Sequence, residues 1–103
     1  MIDKIKGVAK DIFCDIVRIR RHIHQNPELS FKEYKTSAYI KSILKEWKIP
    51  FNEGIADTGV VVLLKGVNPS SKVLALRADF DALPIVEEND VEYCSKNIGV
   101  MHA

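Results

Sequence analysis

The segment at residues 72–84 constrains this sequence most, because an apolar run there ends in two aspartates one residue apart. Residues 73–76 (Val-Leu-Ala-Leu) are continuously apolar, which predicts a short strand covered on both faces. Pro84 prevents this conformation from continuing, since it has no backbone N–H to donate to a neighbouring strand. Asp79 and Asp81 are therefore predicted at the carboxyl end of a buried strand, on one side of it where the backbone stays extended.

That aspartate pair is the best candidate for chemistry in the sequence. Open α/β sheets collect ligands and metals at the carboxyl ends of their strands. Two carboxylates so close together need a cation, hydrogen-bond donors or a shared proton, so they could ligate a metal or orient the residues that do. A structural role is an equally consistent interpretation: the aspartates would cap backbone amides before Pro84, and Arg77 would neutralise one of them.

A different enzyme class also uses Asp-x-Asp after an apolar strand. Phosphotransferases of the haloacid dehalogenase type carry a nucleophile and an acid/base there. Leu83 stands where that motif is expected to have threonine or valine, and Arg77 intrudes before the pair. Two helices are also predicted before the strand, whereas that family begins with it. The sequence argues against this alternative.

Two helices and three strands are predicted. Apolar residues recur at three- and four-residue steps over residues 2–24, which indicates one long amphipathic helix ended by Asn26-Pro27. A second helix should begin with a capping box of Ser30 and Glu33 and stop before Pro50. Strands are expected at residues 49–53, 59–65 and 72–78, the last two as an antiparallel hairpin because the loop between them is too short for a crossover. The acidic segment after Pro84 is predicted to be a loop. The fold class is α/β, with two N-terminal helices packed on a partial mixed sheet.

The composition narrows the classes of function. The 103 residues carry a net charge of +1, with 47% hydrophobic and 28% charged residues, as in an ordinary soluble domain. No basic patch indicates a nucleic-acid partner, and no apolar run is long enough for a membrane. Met1 is followed by charged residues rather than by an apolar segment, so no signal peptide is predicted and the expected location is the cytoplasm.

The histidines and cysteines form no evident site on their own. His22 and His24 point to different faces of a helix, so they are interpreted as surface or packing residues. His102 follows an apolar run at the end of the chain and offers one potential ligand without a site. Cys14 and Cys94 are predicted to be free thiols in a chain that is not secreted.

Three ordered motifs give the sequence a family resemblance. They are residues 20–31 (Arg-Arg-His-Ile-His-Gln-Asn-Pro-Glu-Leu-Ser-Phe), 78–85 (Ala-Asp-Phe-Asp-Ala-Leu-Pro-Ile) and 99–103 (Gly-Val-Met-His-Ala). Together they closely resemble the amino-terminal part of the dimetal amidohydrolases. That group includes hippurate hydrolases and N-acyl-amino-acid deacylases, within the wider aminoacylase and carboxypeptidase metallopeptidase family.

The resemblance implies that residues 1–103 are the first part of a zinc-peptidase-like catalytic domain, without its metal-ligand segments and lid domain. The full-length enzyme would use two divalent metals (Mn, Zn, Co or Ni) to hydrolyse N-acyl amino acids through a metal-activated water. The family signature continues from Met-His-Ala into Cys-Gly-His-Asp, so no metal ligand is expected within this chain. A fragment so placed is expected to bind no metal and to be inactive.

The resemblance also implies roles for the two aspartates. Related carboxypeptidases carry His-x-Asp at this strand end, where the histidine binds metal and the aspartate orients it. Asp81 takes the place of the orienting aspartate, and Asp79 takes the place of the histidine and is expected only to lie near the site.

The alternative is a free-standing α/β domain without catalysis that binds a partner or itself. Either way self-association is expected, because strands without their neighbours expose apolar faces and unpaired edges.

Overall fold

The computed structural model describes residues 1–103, which form three helices and one hairpin. In chain order they are α1 (Ile2–Asp11), α2 (Phe13–Gln25), α3 (Tyr34–Glu46), β1 (Asn52–Ile55) and β2 (Gly59–Val61). The two strands pair antiparallel, with Asn52 opposite Val61 and Ile55 opposite Gly59. The predicted α/β class is confirmed. None of the helices combines the length and apolar character needed to cross a bilayer.

The single long helix predicted at residues 2–24 is divided at Ile12, where φ is −90° and ψ is −1°. The helical ladder continues through this point, because the Ile12 amide donates to Val8 O and the Ile16 amide donates to Ile12 O, each at 3.1 Å. The division is thus a local distortion of one rod rather than a turn between two. The rod ends at Gln25, directly before Asn26-Pro27, as predicted.

The predicted capping box at the start of α3 is wrong. Glu33 is the N-cap residue, but its side chain makes no capping bond, and instead it accepts a hydrogen bond from Thr58 Oγ1 at 3.0 Å. The cap is supplied from further back by Glu28, whose carboxylate accepts from the amide of Lys35 at 3.2 Å and from the amide of Thr36 at 2.7 Å. This contact makes physical sense because a helix N-terminus presents free N–H groups and favours a negative charge.

The strand predictions are corrected by the structure. The first strand lies at Asn52–Ile55 rather than at residues 49–53, and β2 covers only the first three residues of the predicted 59–65. Residues 72–78 form no strand, and the predicted hairpin between residues 59–65 and 72–78 is wrong because β2 pairs with β1. No hydrogen bond between two backbone groups involves residues 72–81. An apolar run gives a segment the composition of a strand, but a strand exists only where a neighbour takes its N–H and C=O groups.

The buried core is small and lies around α3, the turn before it and Ala82. Only seven of the 103 residues are buried, among them Pro27, Ile43 and Ala82. Isolated bridges join Leu29 to Ala82 in parallel and Leu83 to Met101 in antiparallel fashion. The expected mixed pairing is therefore limited to these two bridges, and they bring the end of α2, the motif at residues 78–85 and the last residues of the chain together.

Candidate functional site

The two candidate aspartates lie in different surroundings. Asp79 forms an ion pair with Arg77, with Oδ1 and Nη2 2.7 Å apart, and its side chain is 64% exposed. This is the structural arrangement that the sequence left open for one of the two carboxylates. Asp81 is half-buried, and it is followed by the buried Ala82, whose amide donates to the Glu28 carbonyl at 2.8 Å. The backbone at Asp81 is therefore fixed more firmly than the backbone at Asp79.

Both aspartates line one wall of an open cavity of about 720 Å³, which Glu33 and Thr58 also line. Glu33 is buried there and is satisfied by the Thr58 hydroxyl. No group of three or more His, Cys, Asp or Glu side chains stands where it could hold a metal.

The last residues of the chain lie beside Asp81. Leu83 and Met101 exchange two backbone hydrogen bonds, Leu83 N to Met101 O at 2.9 Å and Met101 N to Leu83 O at 3.0 Å. This bridge places His102 next to Asp81, whose backbone forms a hydrogen bond with the imidazole. His102, which the sequence offered as an isolated side chain, is therefore part of the same site as Asp81.

His24 also belongs to this site, although the sequence suggested only a packing role. Its Nε2 lies 2.8 Å from Glu87 Oε1, and the side chains of His24 and Glu87 are only 12% and 5% exposed. The other carboxylate oxygen, Oε2, accepts a hydrogen bond from the Ser95 amide, and Asn89 Nδ2 donates to Oε1 at 3.3 Å. A nearly buried carboxylate with three partners links α2 to the segment after Pro84.

Aromatic rings surround the His24 side. Tyr93 packs edge-on against His24 with ring centres 5.8 Å apart, and the His102 ring centre is 6.3 Å from that of His24. The guanidinium of Arg21 lies 4.6 Å from the centre of the Tyr93 ring. His22 is directed elsewhere and stacks on Tyr39 at 3.8 Å. The two histidines of α2 thus have different environments.

The pKa values of Glu87 and His102 are both lowered, but for different reasons. The hydrogen bond with His24 and the Ser95 amide hold the pKa of the Glu87 carboxyl below its usual value, which favours the carboxylate. Burial and the nearby His24 lower the pKa of His102, against an opposing hydrogen bond with the Asp81 backbone and the Asp81 charge. The Nε2 atom of His102 is buried and has no hydrogen-bond partner. The site therefore contains a satisfied anion and an imidazole with one unused nitrogen.

Sequence reasoning missed Glu87 because it lies in the acidic, aperiodic segment that predicts a loop. It contacts His24 across 63 residues, a separation over which no local pattern gives a signal. One weak signal in the sequence could have indicated that Glu87 is partly buried, namely the two apolar residues before it, Ile85 and Val86.

No family model matches the chain, but individual proteins do. Over 104 aligned residues, which cover 100% of the chain, it is 48% identical to thermostable carboxypeptidase 2 of Saccharolobus solfataricus, of which it spans 26%. Over 101 residues, or 98% of the chain, it is 43% identical to N-acyl-L-amino acid amidohydrolase of Geobacillus stearothermophilus, of which it spans 27%.

Two solved structures share the fold. The YXEP protein of Bacillus subtilis, described as a dinuclear metal binding peptidase from the M20 family, matches 90% of the chain with a TM-score of 0.82 and 38% identity. A putative aminohydrolase from methicillin-resistant Staphylococcus aureus matches 100% of it with a TM-score of 0.90 and 39% identity. The chain spans 26% and 27% of these two structures, about a quarter of each.

Proposed function

The chain belongs to the M20 family of peptidases and amidohydrolases, and on this premise we propose that it is the amino-terminal part of the catalytic domain of a hydrolase acting on N-acyl amino acids. The observation that carries the proposal is the identity of 43% and 48% to an amidohydrolase and a carboxypeptidase along practically the whole chain. Carboxypeptidases and N-acyl-amino-acid hydrolases share one target, an amide bond whose nitrogen belongs to an amino acid.

We further propose that the full-length enzyme uses two divalent metal ions, chosen from Mn, Zn, Co or Ni, held by ligands outside residues 1–103. The dinuclear metal binding described for the Bacillus subtilis structure supports this proposal. When bound, such ions lower the pKa of a water and polarise the amide carbonyl. In this arrangement the half-buried Asp81 orients a metal-binding group, whereas the exposed Asp79 lies near the site without serving it.

The experiment compares the full-length protein with the 103-residue chain. Hippurate and other N-acyl amino acids are supplied with Mn²⁺, Zn²⁺, Co²⁺ or Ni²⁺, and release of the free amino acid is followed. We expect turnover by the full-length protein that a chelator abolishes, and none by the 103-residue chain. If the full-length protein turns over no N-acyl amino acid with any of the metals, the proposed function is refuted. If the 103-residue chain is active, the proposal that the metal ligands lie outside residues 1–103 is refuted.

Two matched variants test the roles of the aspartates. Asp81→Asn in the full-length protein should lower kcat by about tenfold to a hundredfold, as removal of an outer partner of a metal ligand typically does. Asp79→Asn should leave the rate nearly unchanged, because Asp79 pairs with an exposed arginine. A larger loss for Asp79→Asn than for Asp81→Asn would reverse the assignment.

A second candidate function is self-association, favoured by the exposed apolar side chains along residues 63–76. Six of them are largely exposed, and five of these line one open cavity, namely Leu63, Leu64, Val73, Leu74 and Leu76. A contiguous apolar patch of this kind is typical of an interaction surface. Sedimentation of the 103-residue chain should show concentration-dependent association that Leu74→Lys weakens, and a monomer at all concentrations would refute this candidate.

A further inference from the structure

We propose that His24 and Glu87 form a positioning pair that holds residues 95–102 on α2 and thereby fixes the His102 imidazole with Nε2 as a hydrogen-bond acceptor. The pair touches neither substrate nor metal in this proposal. It acts through His102. The expectation that loss of the pair lowers metal affinity rests on the proposed function.

Residues 95–97 are tied to the end of α2 and to Pro27 by several polar contacts. Glu87 joins α2 to the segment directly, because its carboxylate contacts His24 on one side and the Ser95 amide on the other. Two further bonds run parallel to it. The Lys96 amide donates to the Gln25 carbonyl at 2.9 Å, and Asn97 Nδ2 donates to the Pro27 carbonyl at 3.2 Å.

Of these ties only the first involves a nearly buried ionised group. A nearly buried carboxylate that loses one of its three partners is left with part of its charge neither paired nor hydrated, which is unfavourable. Removal of the His24 imidazole would therefore expel Glu87 toward water rather than leave it in place. The Ser95 amide would move with it, whereas loss of one exposed amide bond would be tolerated.

The chain between Ser95 and His102 is held by hydrogen bonds of its own. Ser95 Oγ donates to the Val100 carbonyl at 2.7 Å, and Met101 is tied to Leu83 by two backbone bonds. His102 therefore follows directly from a stretch that is anchored at both ends. The direct contact of the His24 and His102 rings, with centres 6.3 Å apart, adds a wall on the α2 side.

The two nitrogens of the His102 ring have different surroundings. Nε2 has no hydrogen-bond partner, so the contact with the Asp81 backbone is made by Nδ1, which in this proposal donates its hydrogen to the Asp81 carbonyl. In a neutral imidazole the other nitrogen then bears a lone pair. That nitrogen is the buried, unpartnered Nε2. Buried polar atoms are rarely left unpaired, so Nε2 is directed at an N–H, O–H or cation supplied from outside residues 1–103.

The test uses the full-length protein labelled with ¹⁵N-histidine and four variants. His24→Leu removes the donor to Glu87, His24→Gln keeps a donor of similar reach, and Glu87→Gln removes the charge while keeping the shape. His22→Leu is the matched control, because His22 lies on the same helix but is exposed and stacks on Tyr39. Long-range ¹H–¹⁵N correlations report the tautomer of the His102 ring without added metal, and titration with Co²⁺ reports metal affinity and the visible spectrum of the bound ion.

We expect one His102 tautomer, protonated on Nδ1, in the unaltered protein, in His24→Gln and in His22→Leu. His24→Leu and Glu87→Gln should show averaged ring signals and a Co²⁺ affinity lowered about tenfold or more, the usual effect of losing an outer partner. Unchanged ring signals in both variants would overturn the proposal, as would a His22→Leu variant that behaves like them. If His24→Leu does not fold, Glu87→Gln decides.

Failure of the proposed function has a separate signature. An unaltered protein that hydrolyses no N-acyl amino acid would refute the function, while the His102 ring signals, which need neither substrate nor metal, would still decide whether the pair positions the ring.

Discussion

Substitution of Glu28 by alanine tests how the motif at residues 20–31 stabilises the fold. The Glu28 carboxylate accepts three hydrogen bonds at the start of α3, from the amides of Lys35 and Thr36 at 3.2 and 2.7 Å and from the Thr36 hydroxyl at 2.8 Å. Thr36 is only 4% exposed. Truncation at Glu28 would therefore leave two helix-end amides and one buried hydroxyl without an acceptor.

The magnitude follows from these contacts. Loss of a helix N-cap costs about 0.5–2 kcal/mol, and a buried hydroxyl deprived of its partner costs about 1–3 kcal/mol. Water can reach the amides more easily than the hydroxyl, so we expect Glu28→Ala to lower the free energy of unfolding by about 2–4 kcal/mol. With a urea m-value of roughly 2 kcal/mol/M, the unfolding midpoint falls by about 1–2 M.

The assay is urea unfolding followed by circular dichroism at the helical band. Thr36→Val removes the hydroxyl but keeps the cap, so it should cost about 1 kcal/mol and should reduce the effect of Glu28→Ala in the double variant. Glu46→Ala at the other end of α3 is the control, with an expected change within about 0.5 kcal/mol. A Glu28→Ala variant that unfolds at the same urea concentration as Glu46→Ala would refute the argument.

Two further predictions concern the hairpin and its neighbour on α3. Gly59→Ala should lower the free energy of unfolding by about 1–3 kcal/mol, because a Cβ at this position would clash with the Ile55 carbonyl oxygen. Gly66→Ala is the control, since a Cβ there meets nothing within 4 Å and should leave thermal unfolding unchanged. Equal effects of the two substitutions would contradict this prediction. The pKa of Tyr34 is raised above 10.0 by its hydrogen bond to Asp57. The contribution of that bond is therefore present below about pH 10 and lost as the pH rises through the folded-state pKa. Ultraviolet titration of the phenol should show a lower midpoint in Asp57→Asn, and an unchanged midpoint would count against the bond.

The sequence predicted those parts of the fold that depend on neighbours in the chain. The helical segments were found because their apolar residues repeat every three or four positions, and the ends of α2 and α3 because Pro27 and Pro50 follow them. The prediction for the start of α3 was wrong for a specific reason. Phe31 takes a left-handed conformation, with φ at +61°, and the chain there turns so that Glu28, rather than Ser30 within the capping-box pattern, reaches the helix amides.

The candidate site was also predicted only in part, because the sequence indicates only those site residues whose immediate neighbours in the chain mark them. Asp79 and Asp81 were recognisable because their setting, an apolar run before and a proline after, is local. His24 and Glu87 were not, because their contact joins a helix to an aperiodic loop 63 residues away. Neither residue has an unusual neighbourhood in the sequence, and their segments meet only in the folded chain, through the bridges at Ala82 and Leu83 and the bond from the Lys96 amide to the Gln25 carbonyl.

The contrast at residues 72–78 bears on the proposal that this chain is one part of a larger catalytic domain. Their composition is that of a strand covered on both faces, yet Val73, Leu74 and Leu76 are exposed and no backbone group of residues 72–78 is hydrogen-bonded to another backbone group of the chain. Pairing is a collective property, because each N–H and C=O of a central strand needs a partner on a neighbouring strand. The conflict disappears if those partners come from outside these 103 residues. The aspartates that end the segment would then be held by a sheet completed from elsewhere, while α2 and the His24–Glu87 pair hold the opposite side of the site.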